Sequence, residues 1–510
     1  AKQHPDGFIC REIRADGSDC FGRYDPTSTG PNLLPWSEWL YYTQFGDDNR
    51  LNKVFPVLAA YYKWLKLNRT WRNGTYWSSG WGTGMDNMPR VPEGYNTIYS
   101  NGHMIWLDAC LQQIMVANIL LKMGFYLERW QEIEEFEDDI KNLSAYINKN
   151  MWSERDGFLY DQYANDSLST TQGIYAYWAL HTDVLPKQRL DRLVEHLDDT
   201  CKFNRPHRVA SLAADHPKYK ANGRYWEGGV WPGTNYMVVS GLVEKGYRRL
   251  AHDIVMNHYN NVLKVYKKTG TFWEYYAPED AAPGFMARKD FVGWTGLPPI
   301  ADLIEYIFGI RADIQDSHVT LDVQLLDTYG IDRYPLGADG NISFKVAKRS
   351  SVNEKPKVTI NTNIPFKLTL IWGDGESVEK EVKEGNIEEA YKVIGKSSAL
   401  PAICGRVCPQ ENQCEGKCVR GIKGQPVGIG RMERFVADYH MEHAEPVKAD
   451  IKKNGKKVAV VGSGPSGITC AGELIKKGYD VTVFEALHKA GGVLSYGIPE
   501  FRKSTETSWS

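Results

Sequence analysis

Two acidic residues stand in aromatic, glycine-rich stretches of the kind that carry sugar chemistry. Asp86 lies in GWGTGMDNMPR (80–90), and Glu274 lies between Trp273 and two tyrosines in GTFWEYYAPED (270–280). Hydrolysis of a glycoside with inversion needs such a pair. One carboxyl protonates the leaving oxygen, while the other activates a water on the opposite face of the ring, with about 6.5–9.5 Å between them. An acid flanked by aromatics is partly desolvated, which raises its pKa and suits a proton donor. Local chemistry leaves a plainer alternative open, in which Asp86 caps a helix and Glu274 pairs with an arginine such as Arg90 or Arg288. A second set of reactive residues lies further along. Cys404, Cys408, Cys414 and Cys418 are spaced C-x3-C-x5-C-x3-C, a thiolate pattern that can hold zinc or an iron–sulfur cluster. KVAVVGSGPSG (457–467) then places Gly462, Gly464 and Gly467 in a turn between strand and helix, with Glu485 ending the next strand. That is the arrangement that seats a dinucleotide pyrophosphate on a helix N-terminus and a ribose hydroxyl on the acid.

Hydrophobic periodicity shows what must position these groups. Trp130, Ile133, Phe136, Ile140, Leu143 and Ile147 step by three and four, and Tyr247, Leu250, Ala251, Ile254, Val255 and Val262 form a similar stripe. Both read as amphipathic helices. Met104–Met123 is apolar almost all round and reads as a helix buried on most sides. A last helix is marked by Ile300, Leu303, Ile304, Ile307 and Phe308. All-apolar helices alternating with one-sided ones predict two concentric helical layers. Long Gly/Trp-rich loops separate them, at 71–102, 222–234 and 268–296; long loops of this kind are often functional. From about 317 to 383 the period becomes two, at Val319/Leu321/Val323/Leu325, Ile342/Phe344/Val346 and Phe366/Leu368/Leu370/Trp372. This predicts a small β-domain with one buried face. The predicted division is 1–316 helical, 317–384 β, 385–455 Cys-bearing and partly helical, 456–502 a single strand–helix–strand unit, and 503–510 a tail. The closing TETSWS reads as an addition.

Of 16 Trp, 14 lie between Trp36 and Trp294. Their flat apolar faces with an edge donor suit sugar rings, although any one of them serves a core equally well. The net charge of −2 argues against a general nucleic-acid partner. No apolar run approaches the roughly 18 residues of a membrane span. With no signal peptide before Ala1, the expected location is the cytoplasm, and the scattered Cys10, Cys20, Cys110 and Cys201 read as reduced thiols.

Several motifs occur together in one order: DGFICREI (6–13), GPNLLPW (30–36), GTYWSSGWGTGMDNMPR (74–90), DGFLYDQ (156–162), RYWEGGVWPGTNYM (224–237), GTFWEYYAPE (270–279) and GWTGLPPIADLIEYIFGI (293–310). On these, residues 7–375 resemble the catalytic region of glycoside hydrolase family 63 and its relatives, which include processing α-glucosidase, mannosylglycerate and glucosylglycerate hydrolases and, more distantly, trehalases. The resemblance implies an (α/α)6 barrel, Asp86 as general acid and Glu274 as general base. It also implies a sugar pocket lined or shaped by Trp81, Asn87, Arg90, Tyr225, Trp226, Gly229, Trp231 and Trp273. The substrate class would be an α-glucoside or α-mannoside, cleaved without a cofactor. Family members carry about two more helices and a Trp-Asp motif ahead of the first of these segments. The barrel expected here lacks its first helices, and a catalytically impaired sugar-binding remnant is an alternative. Residues 385–502, including GGVLSYGIPEFR (491–502), resemble part of the small subunit of NADPH-dependent glutamate synthase. That family implies FAD and [4Fe–4S] clusters and, as a further alternative, a redox module. Because only part of the ligand set and one β-α-β unit are present, the expectation is that neither group is bound and that the segment is a truncated appendage joined near residue 385.

Overall fold

The computed structural model describes residues 2–382, 387–422, 426–443 and 451–498. It divides into two compact units, Ala1–Glu384 and Gly385–Ser510. The expected junction near 385, the last four residues of the 491–502 segment and the 503–510 tail lie outside the described residues.

The first unit follows the alternation read from the periodicity. Leu107–Tyr126 buries Leu107, Leu111, Met115, Val116, Leu120 and Met123, and Pro232–Glu244 is buried along most of its length. Ile174–His181, a tighter 3-10 helix, is buried from Ile174 to Leu180. Between these run one-sided helices. Glu134–Asn150 buries Phe136, Leu143 and Ile147, Lys187–Glu195 buries Leu190, Leu193 and Val194, and Arg248–Thr269 buries Ala251, Ile254, Val255, Val262 and Val265 among others. Leu34–Phe45 and Asp48–Asn68 open the series. Trp36 on the first of them meets Trp178 edge-on at 5.8 Å between ring centroids and Tyr236 at 5.7 Å, so two buried helices converge on it. One contiguous core joins the layers from Phe8 to Ile307.

The last helix, Pro298–Ile307, is wider than an α-helix: Asp302 N–H donates to Leu297 O and Phe308 N–H to Leu303 O, each across five residues. Such widened turns are uncommon. Asp302 is buried there, with Oδ1 lacking a partner. Burial, with a contribution from Glu305, raises its pKa from 3.8 to about 8. Between those values the unfolded chain releases a proton that the folded chain keeps. Stability therefore falls as pH rises through the window and levels off above it. Asp302→Asn is expected to remove that slope. At pH 8 the variant should exceed the parent by about 2–5 kcal/mol, at about 1.4 kcal/mol per unit of displaced pKa, with the two equal near pH 4. Urea unfolding across pH 4–9 measures this, and parallel curves would refute a neutral Asp302.

The β-region is two small sheets sharing one core. Ile310–Asp313 pairs antiparallel with His318–Val323, which pairs parallel with Phe366–Trp372, which in turn pairs antiparallel with Glu376–Val382. Tyr329–Leu336, Gly340–Val346 and Val358–Thr362 form an antiparallel three-stranded sheet. The alternating residues Val319, Leu321, Val323, Ile342, Phe344, Val346, Phe366, Leu368, Leu370 and Trp372 are all buried in that core. Leu325 falls past the strand end and packs on the helical core instead. Arg248 of the long helix forks onto Asp322 (Nε–Oδ2 2.8 Å), fixing sheet to helices.

In the second unit, Pro401–Val407 packs against Ile429–His443, and a parallel pair of strands, Lys457–Val461 and Asp480–Phe484, flanks the helix Pro465–Lys476. Among the described residues no helix is long and apolar enough to cross a membrane.

Candidate functional site

The first acid is set by a compact turn. Ser79 caps a single helical turn, Gly80–Thr83, by accepting the N–H of Gly82 at 3.0 Å, and Gly84 ends it in the left-handed region at φ 74°. Gly80 is required by close approach: a Cβ there would lie 2.2 Å from Thr97 O and 2.6 Å from Asp86 O. The turn brings the Trp81 indole N–H to Asp86 Oδ2 at 3.1 Å. Burial raises the pKa of Asp86, and Arg11, the Trp81 donor and the Tyr225 hydroxyl partly oppose it. Arg11 donates to Trp81 O and lies over the Trp81 and Phe21 rings, 5.5 and 5.8 Å from their centroids.

The second wall is the 224–231 loop. Tyr225 takes a left-handed φ of 56°, an uncommon conformation for a non-glycine residue. Asn87, next to the acid, holds this loop from both sides: its Oδ1 accepts the Trp226 N–H at 2.8 Å and its Nδ2 donates to Arg224 O at 3.3 Å. Trp226, Trp231 and Tyr275 form a stack, Trp226 and Trp231 at 4.2 Å and 2° between planes, Trp231 and Tyr275 at 4.4 Å and 20°. Gly229 makes the stack possible, because a Cβ there would lie 2.3 Å from Tyr225 O and 3.2 Å from Trp231 Nε1. It shapes the wall rather than facing a ligand. The Trp226 indole N–H is buried with no acceptor among the described residues.

Glu274 comes from the third loop. Its backbone N–H donates to Arg288 O at 3.0 Å, its Oε2 accepts the Arg288 N–H at 3.3 Å, and its own carbonyl accepts the Trp294 indole N–H at 2.6 Å. No Lys, Arg or His side chain pairs with it within 4.0 Å among the described residues, so the arginine pairing that local chemistry left open is not made. Tyr225 links the two acids. Its phenol is held protonated well above its usual range by burial first, then by Asp86, then by Glu274.

Two expected pocket residues lie elsewhere. Arg90 is 1% exposed and clamped between two buried carboxylates. Its Nη1 and Nη2 meet Asp108 at 2.8 and 2.9 Å, its Nε and Nη2 meet Asp161 at 2.9 and 2.7 Å, and its guanidinium lies over Tyr175 and Trp106. With every carboxylate-facing donor spent, it does not line a sugar pocket. Trp273 turns back onto Val230, Val262, Val265 and Tyr276, its indole N–H donating to Thr269 Oγ1 at 3.1 Å. It packs the loop from behind. Trp294, Tyr275 and Arg11 were not singled out by type and spacing, yet they stand at the acids. Trp294 and Arg11 both lie in segments whose motifs were legible, GWTGLPPI and DGFICREI.

The reactive residues of the second unit do not assemble a metal site. Cys404, Cys408 and Cys414 are exposed. Cys408 Sγ faces Gln413 Oε1 at 3.9 Å, and Cys418 Sγ accepts the Val427 N–H at 3.5 Å. Among the described residues no three His, Cys, Asp or Glu side chains converge as metal ligands. The four thiols that the spacing singled out are spread over a short helix and the loop after it, and a cluster does not fit them as they stand. The glycine turn keeps the shape of a phosphate cradle. Gly462 has φ 95°, and a Cβ on Gly467 would lie 1.9 Å from Gly462 O, while Gly464 caps the helix. Glu485, expected at a ribose, instead accepts the Ser463 N–H at 2.9 Å and its hydroxyl, which with the Leu487 N–H at 2.9 Å hold its pKa at about 2.

Comparison with known proteins gives three successive matches along the chain. The model of the mannosylglycerate hydrolase MGH1-like glycoside hydrolase domain matches residues 2–295. The 4Fe-4S domain II of dihydropyrimidine dehydrogenase matches 376–445, and an NAD(P)-binding Rossmann-like domain matches 460–503. A protein of Borreliella burgdorferi is 26% identical over 315 residues, covering 60% of this chain and 64% of its own length. The glutamate synthase [NADPH] small chain of Escherichia coli is 40% identical over 128 residues, 25% of this chain and 27% of its own. The chain thus spans less than two thirds of each of these relatives. The structure is similar to a GH78 family rhamnosidase of Bacillus sp. GL1, with a TM-score of 0.50 and 17% identity over 67% of this chain and 33% of that one, a likeness of fold. The chain carries a hydrolase domain joined to parts similar to the glutamate synthase small chain, and over most of its first unit it belongs to the mannosylglycerate hydrolase MGH1-like glycoside hydrolase family.

Proposed function

We propose that the protein is an inverting glycoside hydrolase acting on an α-linked glucoside or mannoside, with Asp86 as general acid and Glu274 as general base. The observation that carries this reading is the meeting of the two acid-bearing loops on the 225–226 turn: the half-buried Tyr225 ring packs edge-on against Tyr275, next to Glu274, at 5.4 Å between centroids, while Asn87, next to Asp86, accepts the Trp226 N–H at 2.8 Å. Asp86 hands its proton to the glycosidic oxygen as the C1–O bond breaks. Glu274 takes a proton from a water whose oxygen bonds to C1 from the opposite face. Burial keeps Asp86 protonated further up the pH scale, which suits the donor. Trp81 orients the acid, Asn87 and Gly229 shape the wall, and Trp226, Trp231 and Trp294 supply aromatic surface. The orphaned Trp226 donor suits a hydroxyl-rich ligand. The helices are read as an (α/α)6-type ring, and 456–498 as a single Rossmann unit that takes no part in hydrolysis. Hydrolysis by this route requires no cofactor.

A panel of α-glucosides and α-mannosides with reducing-sugar detection, followed by NMR of the first-formed anomer, tests the reading. Release of the inverted anomer is expected; a retained anomer would overturn the mechanism, and no release from any α-glycoside would overturn the activity.

Arg11 gives the pH test. Its cation opposes the rise in the Asp86 pKa, so Arg11→Gln is expected to raise that pKa further. The alkaline limb of kcat/KM, which reports the free enzyme's acid, should move to higher pH while the acidic limb stays. A shift of the alkaline limb to lower pH would contradict the assignment of Asp86.

A further inference from the structure

A second cavity, of about 520 Å³, opens among the 153–172 and 202–217 segments. Its lining includes Asp156, Tyr160, Ser169, Thr170, Gln172, Lys202 and His216, and shares no residue with the acid-bearing loops. Its polar groups are held in place from behind. Lys202 Nζ donates to Gln172 Oε1 at 2.7 Å and to His196 Nδ1 at 3.0 Å. Gln172, 8% exposed, is oriented by its own bond to the Tyr160 hydroxyl at 2.7 Å, and His196 by a 2.9 Å bond from Nε2 to Asp156 O. Both acceptors of Lys202 are thus neutral groups with fixed orientation. No carboxylate lies within 4.0 Å of its ammonium among the described residues. An ammonium has three donors, and two are used here. The acids on the lining do not supply the missing charge: Asp156 is bound by Arg155 at 2.8 Å and by the Ser153 hydroxyl at 2.8 Å, and Asp215 is exposed.

A partly buried cation with an unspent donor, facing a polar cavity of this size, calls for an anion. We propose that this cavity is a second ligand site, for a small molecule bearing an oxyanion, a phosphate or a carboxylate, held by Lys202 with hydroxyl and amide groups of the lining around it. The site is joined to the acid loop. Thr171 Oγ1 donates to Pro89 O at 2.6 Å, and the Tyr163 hydroxyl lies 3.1 Å from Arg90 O and 3.2 Å from Ser169 Oγ. Occupancy would act on the backbone that follows Asp86, which makes the ligand an effector rather than a substrate.

Titration calorimetry on the full chain with inorganic phosphate and with lactate tests the site without reference to hydrolysis. Saturable binding of at least one anion is expected, stronger for the oxyanion that matches the natural ligand. Lys202→Met should weaken it at least about tenfold, the loss of one charge-assisted bond. Thr170→Trp, at an exposed position on the rim, should block it by filling the cavity, while Asp86→Asn and Glu274→Gln leave it unchanged. Absence of saturable binding by either anion, binding unaffected by both Lys202→Met and Thr170→Trp, or binding abolished by Asp86→Asn would each overturn the proposal, the last by placing the anion in the two-acid cleft.

Discussion

Asp86→Asn and Glu274→Gln should each lower kcat on unactivated α-glycosides by about 100- to 10,000-fold, the usual contribution of a positioned acid or base, but they should differ in one respect. An acid that protonates a leaving oxygen is dispensable when that oxygen leaves readily. Asp86→Asn should therefore recover most of its rate on an aryl glycoside with an acidic phenol. Glu274→Gln should not, because the water still needs a base. Both folds should persist. Asp86 accepts from the Trp81 indole beside the Tyr225 hydroxyl, and Glu274 accepts from the backbone of Arg288, and an amide oxygen can accept each. If aryl glycosides rescue Glu274→Gln and not Asp86→Asn, the two roles are exchanged. If neither variant changes the rate, the two-acid reading fails.

The largest effect on stability is expected at Arg90. Its guanidinium neutralises Asp108 and Asp161, both 0% exposed. Removing one partner of a buried ion pair costs about 3–5 kcal/mol, because the remaining charge stays buried without compensation. Arg90→Met leaves two such carboxylates and is expected to cost at least that much, read as a lower midpoint in urea unfolding. Arg90→Lys should recover only part, since a single ammonium cannot reproduce two forked contacts. This network also ties the first acid-bearing loop to the buried helix: Asp161 Oδ1 accepts the Leu107 N–H at 2.9 Å at that helix's start, and Arg90 itself follows Asp86 by four residues. A midpoint unchanged in Arg90→Met would show that the pair contributes nothing net.

The sequence by itself determined which segments are helices and which are strands, because a stripe at spacing three and four or an alternation at two is a local property. The buried stripes of Glu134–Asn150 and Arg248–Thr269 and the alternating residues of the β-region follow directly from it. The order of the motifs likewise carried the family. What a side chain does at the end of its loop depended on residues brought in by other elements, and only the tertiary structure decided it. An arginine four residues from a candidate acid reads as a pocket residue until Asp108 and Asp161 arrive from two other elements to enclose it. Trp273 reads as a sugar platform until Val230, Val262 and Val265 offer its ring a dry surface, while Trp294 reaches the Glu274 carbonyl from 20 residues away. The four thiols show the same rule from the other side. Spacing brings them within one short stretch of chain, but metal ligation requires their sulfurs to converge, and the turn of backbone between them points each toward a different neighbour.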